Sequence, residues 1–191
     1  IDKSRILQKY DLPKKYFIVS NQFHKHKNHE TLFKAIKILV NQDFDIVVAV
    51  TGKIHSKDNQ VYINWLLNYI NKNNLQKNIR LLDVIPRNDQ LSLMKYSSAV
   101  IQPSLFEGWS TVIEDAKSLQ VPVIASDIQV NIEQLGENGF FFDKKNPDDL
   151  ASVIQKFLNL KNKFSGKIYE DYSIRVNRFA LQFLNIFSKK A

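Results

Sequence analysis

The chain has 191 residues and an apolar fraction of 44%, which suits one domain with a full hydrophobic core rather than a disordered segment. It has no cysteine, which excludes disulfides and thiolate metal sites, and no apolar run near the ~20 residues that cross a bilayer. The net charge of +8 suits nucleic acid, anionic lipid or a phosphorylated small ligand. The basic residues are dispersed, however, with denser spots only at residues 14–15, 24–27 and 189–190, so a solvated basic surface accounts for the charge better than a nucleic-acid face.

The chain begins at Ile1 without Met and without a secretory pattern, and an amphipathic stretch follows at residues 4–10; a piece of a longer, cytoplasmic protein is expected. Residues 16–20 (YFIVS) form a β-rich run, and residues 29–40 carry apolar side chains at a helical period. Residues 45–50 (DIVVAV) predict a buried strand that Thr51-Gly52 ends, followed by a helix over 61–70. A third strand is expected at 79–84 and a third helix at 88–97, with Asn88 as its N-cap after Pro86. Then come a strand at 99–102, a helix at 111–119 and strands at 121–125 and 139–142. Asn146-Pro147 signals a helix over 148–158, and a long helix over 172–188 closes the pattern.

Strands alternating with helices imply parallel βαβ units, and continuous apolar strands imply a sheet covered on both faces. The expected fold is α/β: a doubly wound, Rossmann-like, mostly parallel sheet of about six strands ending in a long C-terminal helix. Ligands of such sheets sit beyond the carboxyl ends of the strands, which selects the loops 21–28, 51–58, 85–87 and 103–110. No G-x-G-x-x-G and no P-loop motif is present, which argues against a nicotinamide dehydrogenase or a P-loop enzyme. The richest loop reads P-S-L-F-E-G-W-S-T. It places a carboxylate (Glu107), a flexible glycine (Gly108) and a helix N-terminus at Ser110 and Thr111 together, where a sugar hydroxyl and a phosphate can be held at one spot. Ser110 or Thr111 alone would be an ordinary helix cap. His24, His26 and His29 have no carboxylate or cysteine partner at ligand spacing and read as surface histidines.

Residues 106–116 (FEGWSTVIEDA), with VPVIASD at 121–127, resemble the C-terminal, donor-binding domain of the retaining family-4 glycosyltransferases. The resemblance extends to FIVSNQFHKHKNH at 17–29, GFFFD at 139–143 and Tyr172-Ser173, nearly the whole chain. It implies a GT-B fold with one nucleotide-sugar-binding domain over residues 1–191, the N-terminal acceptor domain lying outside this chain. The implied donor is a UDP- or GDP-sugar, with no further cofactor and no bound metal. Glu107 would contact the donor sugar, and Lys27 together with the Gly108, Ser110 and Thr111 backbone would hold the diphosphate. Asp115, one methylene shorter than the family's second glutamate, would hold the ribose; its neighbour Glu114 would then be a solvent-facing charge, since one residue is ~100° around a helix. The arginine expected after the first strand is replaced by Asn21 and Gln22, and Lys25 is a candidate substitute. Ile85 would meet the base, and Trp109 would pack on the following helix or on the ligand. The implied partners are a saccharide or lipid-linked acceptor, reached through the N-terminal domain at the inner membrane face, and not nucleic acid. A noncatalytic binding module, or a GT-B relative such as a sugar-nucleotide epimerase, fits the same residues.

Overall fold

The computed structural model describes residues 2–55, 59–160 and 168–188; residues 56–58 of the 51–58 loop and the basic pair at 189–190 lie outside it. The elements alternate along the chain: α1 (Lys3–Lys9), β1 (Phe17–Ser20), α2 (His29–Asn41), β2 (Val48–Thr51), α3 (Gln60–Lys72), β3 (Ile79–Asp83), α4 (Arg87–Tyr96) and β4 (Val100–Gln102). The second half continues with α5 (Thr111–Ser118), β5 (Val123–Ser126), α6 (Gln129–Leu135), β6 (Gly139–Phe142), α7 (Pro147–Leu160) and α8 (Tyr172–Ser188).

The six strands form one parallel sheet in the order β3-β2-β1-β4-β5-β6. This is the doubly wound order, and its direction reverses between β1 and β4, where a crevice opens beyond the strand ends. Side chains alternate between two cores because strand residues point alternately to opposite faces. Phe17, Val19, Val48, Val50, Ile101 and Ile124 face the core under α2, α3 and α7. Ile18, Ala49, Val100, Val123 and Ala125 face the second core with Ile6 of α1, Leu93 and Met94 of α4, and Ile113 and Ala116 of α5. Each of the Val, Leu, Ile, Met and Phe side chains among them contributes about 1.5–3 kcal/mol on burial, so the ends of β1 and β4 sit on a well-braced platform.

Three expectations are corrected. β2 begins at Val48 rather than Asp45, because its pairing starts where Val48 lies opposite Phe17, and Asp45 stays exposed ahead of the ladder. α4 begins at Arg87, and its N-cap is Pro86, not Asn88. Pro86 has φ −54 and ψ 141, an extended entry, so the helix starts one residue after it. α6 was not foreseen: Ile128 at its N-cap has no side-chain acceptor, so no capping signal announces it. The Asn146-Pro147 start signal of α7 holds, with Asn146 Oδ1 accepting from the N–H groups of Asp148 and Asp149 at 3.0 and 3.1 Å.

Candidate functional site

At the reversal point the loops after β1 and β4 are tied together. Asn28, in the left-handed region at φ 57, donates from Nδ2 to the carbonyls of Pro103 at 3.0 Å and Lys144 at 2.7 Å. Thr31 Oγ1 donates to Asn28 Oδ1 at 2.9 Å, and Leu105 N–H donates to the His26 carbonyl at 2.7 Å. One strand deeper, Asn21 Nδ2 donates to Gln102 Oε1 at 3.0 Å. This lacing fixes the short turn Lys25–Lys27 against the loop that carries Glu107.

The central contact is an ion pair, Lys27 Nζ to Glu107 Oε1 at 2.6 Å, with side chains only 18% and 10% exposed. The fully buried Gln102 donates to the same oxygen at 2.7 Å. The pair joins two hollows. Lys27 lines a cleft of about 320 Å³ with Asn21 and Gln22 after β1, Thr51 and Gly52 after β2, Val84 and Ile85 after β3, and Thr111 and Val112 of α5. Glu107 lines a neighbouring hollow of about 650 Å³ with Phe106, Gly108, Trp109, Asp127 and Lys144. Gly52 is required here: its φ is +146, and a Cβ would meet the Asn21 carbonyl oxygen at 2.2 Å. Gly108, by contrast, leaves open space where a Cβ would stand.

The N-terminus of α5 points into the cleft through Thr111 and Val112, whose first-turn N–H groups have no intrahelical partner. Ser110 is already committed: its hydroxyl caps Ile113 N–H at 3.3 Å, and its own N–H donates to Gln134 Oε1 at 2.9 Å. Gln134 of α6 returns a bond from Nε2 to the Ser110 carbonyl at 3.1 Å, clamping the cap. The first-turn N–H groups beside the cleft are therefore those of Thr111 and Val112, with Ser110 as the helix cap.

Asp115 and Glu114 diverge. Asp115 Oδ2 accepts from Arg87 Nη2 of α4 at 2.6 Å, and neither residue is among those lining the cleft. Glu114 is tied to Arg175 at 2.7 Å, Gln134 at 3.0 Å and Lys117 at 3.3 Å. It is half-buried in that network rather than solvent-facing, because α6 and α8 supply partners that the sequence pattern did not reveal. Ile85 lines the cleft, whereas Lys25 is exposed on its turn and absent from the lining. Trp109 is 55% exposed and does not bury against α5. His29 is not a surface residue: it is fully buried, stacked on Phe23 at 4.4 Å, with neither ring nitrogen hydrogen-bonded. Burial, reinforced by the charges of Lys27 and His24, lowers its pKa from 6.5 to about 3. Burial also lowers that of His26. Among the described residues no three His, Asp or Glu side chains are grouped to hold a metal ion, and no helix is long and apolar enough to cross a membrane.

Sequence reasoning missed Gln102, Arg87 and Gln134. Their polar ends act across loops and helices, and only Arg87 lay in a loop already singled out by the strand-end rule.

The fold and the sequence both have relatives. The chain is 24% identical over 200 residues to the capsular polysaccharide biosynthesis glycosyltransferase CapM of Staphylococcus aureus, covering 94% of this chain and 51% of that protein. It is 25% identical over 153 residues to the O-antigen biosynthesis glycosyltransferase WclY of Escherichia coli, covering 75% and 42%. Among solved structures, Anabaena Alr3699/HepE in complex with UDP superposes with a TM-score of 0.81 at 21% identity, covering 99% of this chain and 54% of that one. The chain thus spans about half the length of the relatives it matches and has the fold of half of a GT-B glycosyltransferase. The family profile described as "Glycosyl transferases group 1" matches residues 2–172, and the chain belongs to that family.

Proposed function

We propose that this chain is the donor-binding, C-terminal domain of a retaining glycosyltransferase of the family-4 type, which takes a UDP- or GDP-sugar. The observation that carries the reading is the Lys27–Glu107 pair at the junction of the two hollows. The nucleoside diphosphate occupies the 320 Å³ cleft, with its phosphates between Lys27 and the first turn of α5. The sugar lies in the second hollow, its hydroxyls on the Glu107 carboxylate. Negative charge grows on the diphosphate as the glycosidic bond breaks, and fixed donors aimed at that charge lower the barrier. The N–H groups of Thr111 and Val112, the dipole of α5 and the Lys27 ammonium are such donors. The acceptor hydroxyl attacks from the face the leaving group departs, so the anomeric configuration is retained. In the free chain Glu107 holds Lys27; sugar hydroxyls that take over the carboxylate release the ammonium to the diphosphate.

The names of CapM and WclY suggest polysaccharide assembly as the setting, with a saccharide or lipid-linked acceptor. The acceptor belongs to a second domain. The large exposed apolar side chains of α8, among them Phe179, Phe183 and Ile186, suit a helix that such a domain covers. Peripheral attachment at the cytoplasmic membrane face follows if that acceptor is lipid-linked.

The test is a thermal-shift panel of UDP, GDP, ADP and their sugars with wild-type chain, Lys27→Ala and Glu107→Ala. A ligand that binds the native state at ~100 times its Kd stabilises it by about 2.7 kcal/mol, or about 5–10 °C for a domain of this size. One nucleotide is expected to give such a shift with wild type and a much smaller one with Lys27→Ala. Glu107→Ala is expected to keep the nucleotide shift and lose the added effect of the attached sugar. No shift with any nucleotide would overturn the reading.

A further inference from the structure

Glu107 leans on a buried glutamine that lines neither hollow. Gln102 ends β4, the strand beside β1, and its side chain is fully buried. Its Nε2 donates to Glu107 Oε1 at 2.7 Å and to Ser104 Oγ at 3.3 Å, so both N–H groups are engaged. Its Oε1 accepts from Asn21 Nδ2 at 3.0 Å, and Asn21, buried just after β1, lines the cleft. A buried amide without partners is costly. Here the Asn21 donor also decides which way the amide faces: the oxygen turns to Asn21 and the NH₂ group to the carboxylate. Both donors to Glu107, Gln102 and Lys27, fall on Oε1, and among the described residues Oε2 takes no hydrogen bond.

Resting on the proposed assignment of the sugar to the Glu107 hollow, we infer that Gln102 is a positioning residue for the donor sugar. It holds the Glu107 carboxylate in place, with Oε2 presented to the sugar hydroxyls, once Lys27 has left for the diphosphate. The two donors on Oε1 differ in freedom. Lys27 is a long flexible side chain, 18% exposed at the cleft wall, and its ammonium can exchange a carboxylate for a phosphate. Gln102 is enclosed, bonded to Asn21, Ser104 and Glu107, and cannot follow. A carboxylate has about four lone-pair sites, so the glutamine occupies one and leaves the others to hydroxyls. A carboxylate held in one orientation beforehand loses less freedom on binding than a loose one. Direct contact of Gln102 with the sugar is excluded by its full burial and its engaged N–H groups.

The 191-residue chain is titrated calorimetrically with UDP, GDP and ADP and with UDP-glucose, UDP-galactose, GDP-mannose and ADP-glucose. The nucleotide sugar that wild type binds most tightly is carried to the variants, and the ratio of its Kd to that of its nucleotide isolates the sugar. Gln102→Met keeps the length of the side chain and removes the amide. It is expected to leave nucleotide affinity within about twofold and to raise the ratio about tenfold, the lower end for a hydrogen bond to a charged group. Glu107→Ala is expected to raise the ratio by at least as much. Adding Gln102→Met to Glu107→Ala is expected to change the ratio by less than about twofold, because residues acting through one contact are not additive. If the Met variant does not melt cooperatively, Gln102→Asn takes its place with the same expectations, since it keeps an amide that stops a methylene short of the carboxylate. An unchanged ratio in the Gln102 variant, or an equal loss of nucleotide and nucleotide sugar, makes Gln102 a structural amide and overturns the inference while the donor-site reading stands. A further rise of the ratio in the double variant means that Gln102 acts independently of Glu107 and overturns it as well. Failure of every nucleotide to bind wild type, or a ratio that Glu107→Ala does not move, overturns both.

Discussion

His29 shows how a residue beside a candidate site can matter through protonation alone. Its ring is fully buried, and neither nitrogen has a hydrogen-bond partner. The unfolded chain takes up a proton near the ordinary value of 6.5, whereas the native chain resists until about 3. Between those values the unfolded state binds more protons, so stability falls as pH falls through the window. The loss approaches about 1.4 kcal/mol per pH unit. His29→Leu removes the titrating group and two unpaired polar atoms at similar volume. It is expected to match or exceed wild-type stability at pH 8 and to lose about 1.4 kcal/mol less than wild type on going to pH 5.5, measured by urea unfolding at each pH. Parallel pH dependence of the two proteins would mean the imidazole is not held neutral. The same residue shows the limit of reading single positions. Lys27 and Glu107, which the structure pairs at 2.6 Å, each stand out within a short stretch of sequence. The burial of His29, and the Arg87–Asp115 and Ser110–Gln134 bonds, join residues 28 and 24 positions apart in the latter two cases, and a short motif does not contain such contacts.

At the scale of elements, periodicity located each strand and most helices, since a buried face repeats every two or 3.6 residues whatever the neighbours are. It failed for α6, whose seven residues are too few to establish a period and whose N-cap Ile128 gives no signal. Yet α6 supplies Gln134, which clamps the α5 cap, so a helix without a sequence signal orients the N-terminus that opens on the cleft. The loop after β2 was legible as a strand end, but not why Gly52 stands there. A Cβ at Gly52 would overlap the Asn21 carbonyl, and the residue's φ of +146 is one that L side chains rarely adopt. Gly52→Ala therefore forces the β2 end away from the β1 loop. Strain plus displacement is expected to cost about 3 kcal/mol, a fall of roughly 6–12 °C in Tm. It should also abolish nucleotide binding, because Asn21 and Gln22 line the same cleft. A variant that melts like wild type and binds normally would show that the loop has another backbone path.

At the scale of the whole molecule, α8 does not behave like the other helices. Tyr172, Val176, Phe179, Phe183 and Ile186 recur at spacings of four and three, a continuous stripe, and each is between 43% and 68% exposed. Such a stripe normally faces a partner. Polar contacts tie the start of α8 to the domain, where Arg175 reaches Glu114 and Ser118. Contiguous apolar surface of more than about 300–600 Å² is unusual on a protein that works uncovered. The isolated chain is accordingly expected to bind the dye ANS strongly in its native state. Phe179→Gln with Phe183→Gln keeps helix propensity while replacing the stacked ring pair. The double variant is expected to lose more than about half of the dye fluorescence while Tm moves by no more than about 2–4 °C, since exposed substitutions each change stability by about 0.5 kcal/mol or less. If instead the dye signal persisted and the melting transition broadened, the ring pair would be core rather than interface, and α8 would have to be read as part of this domain's own interior.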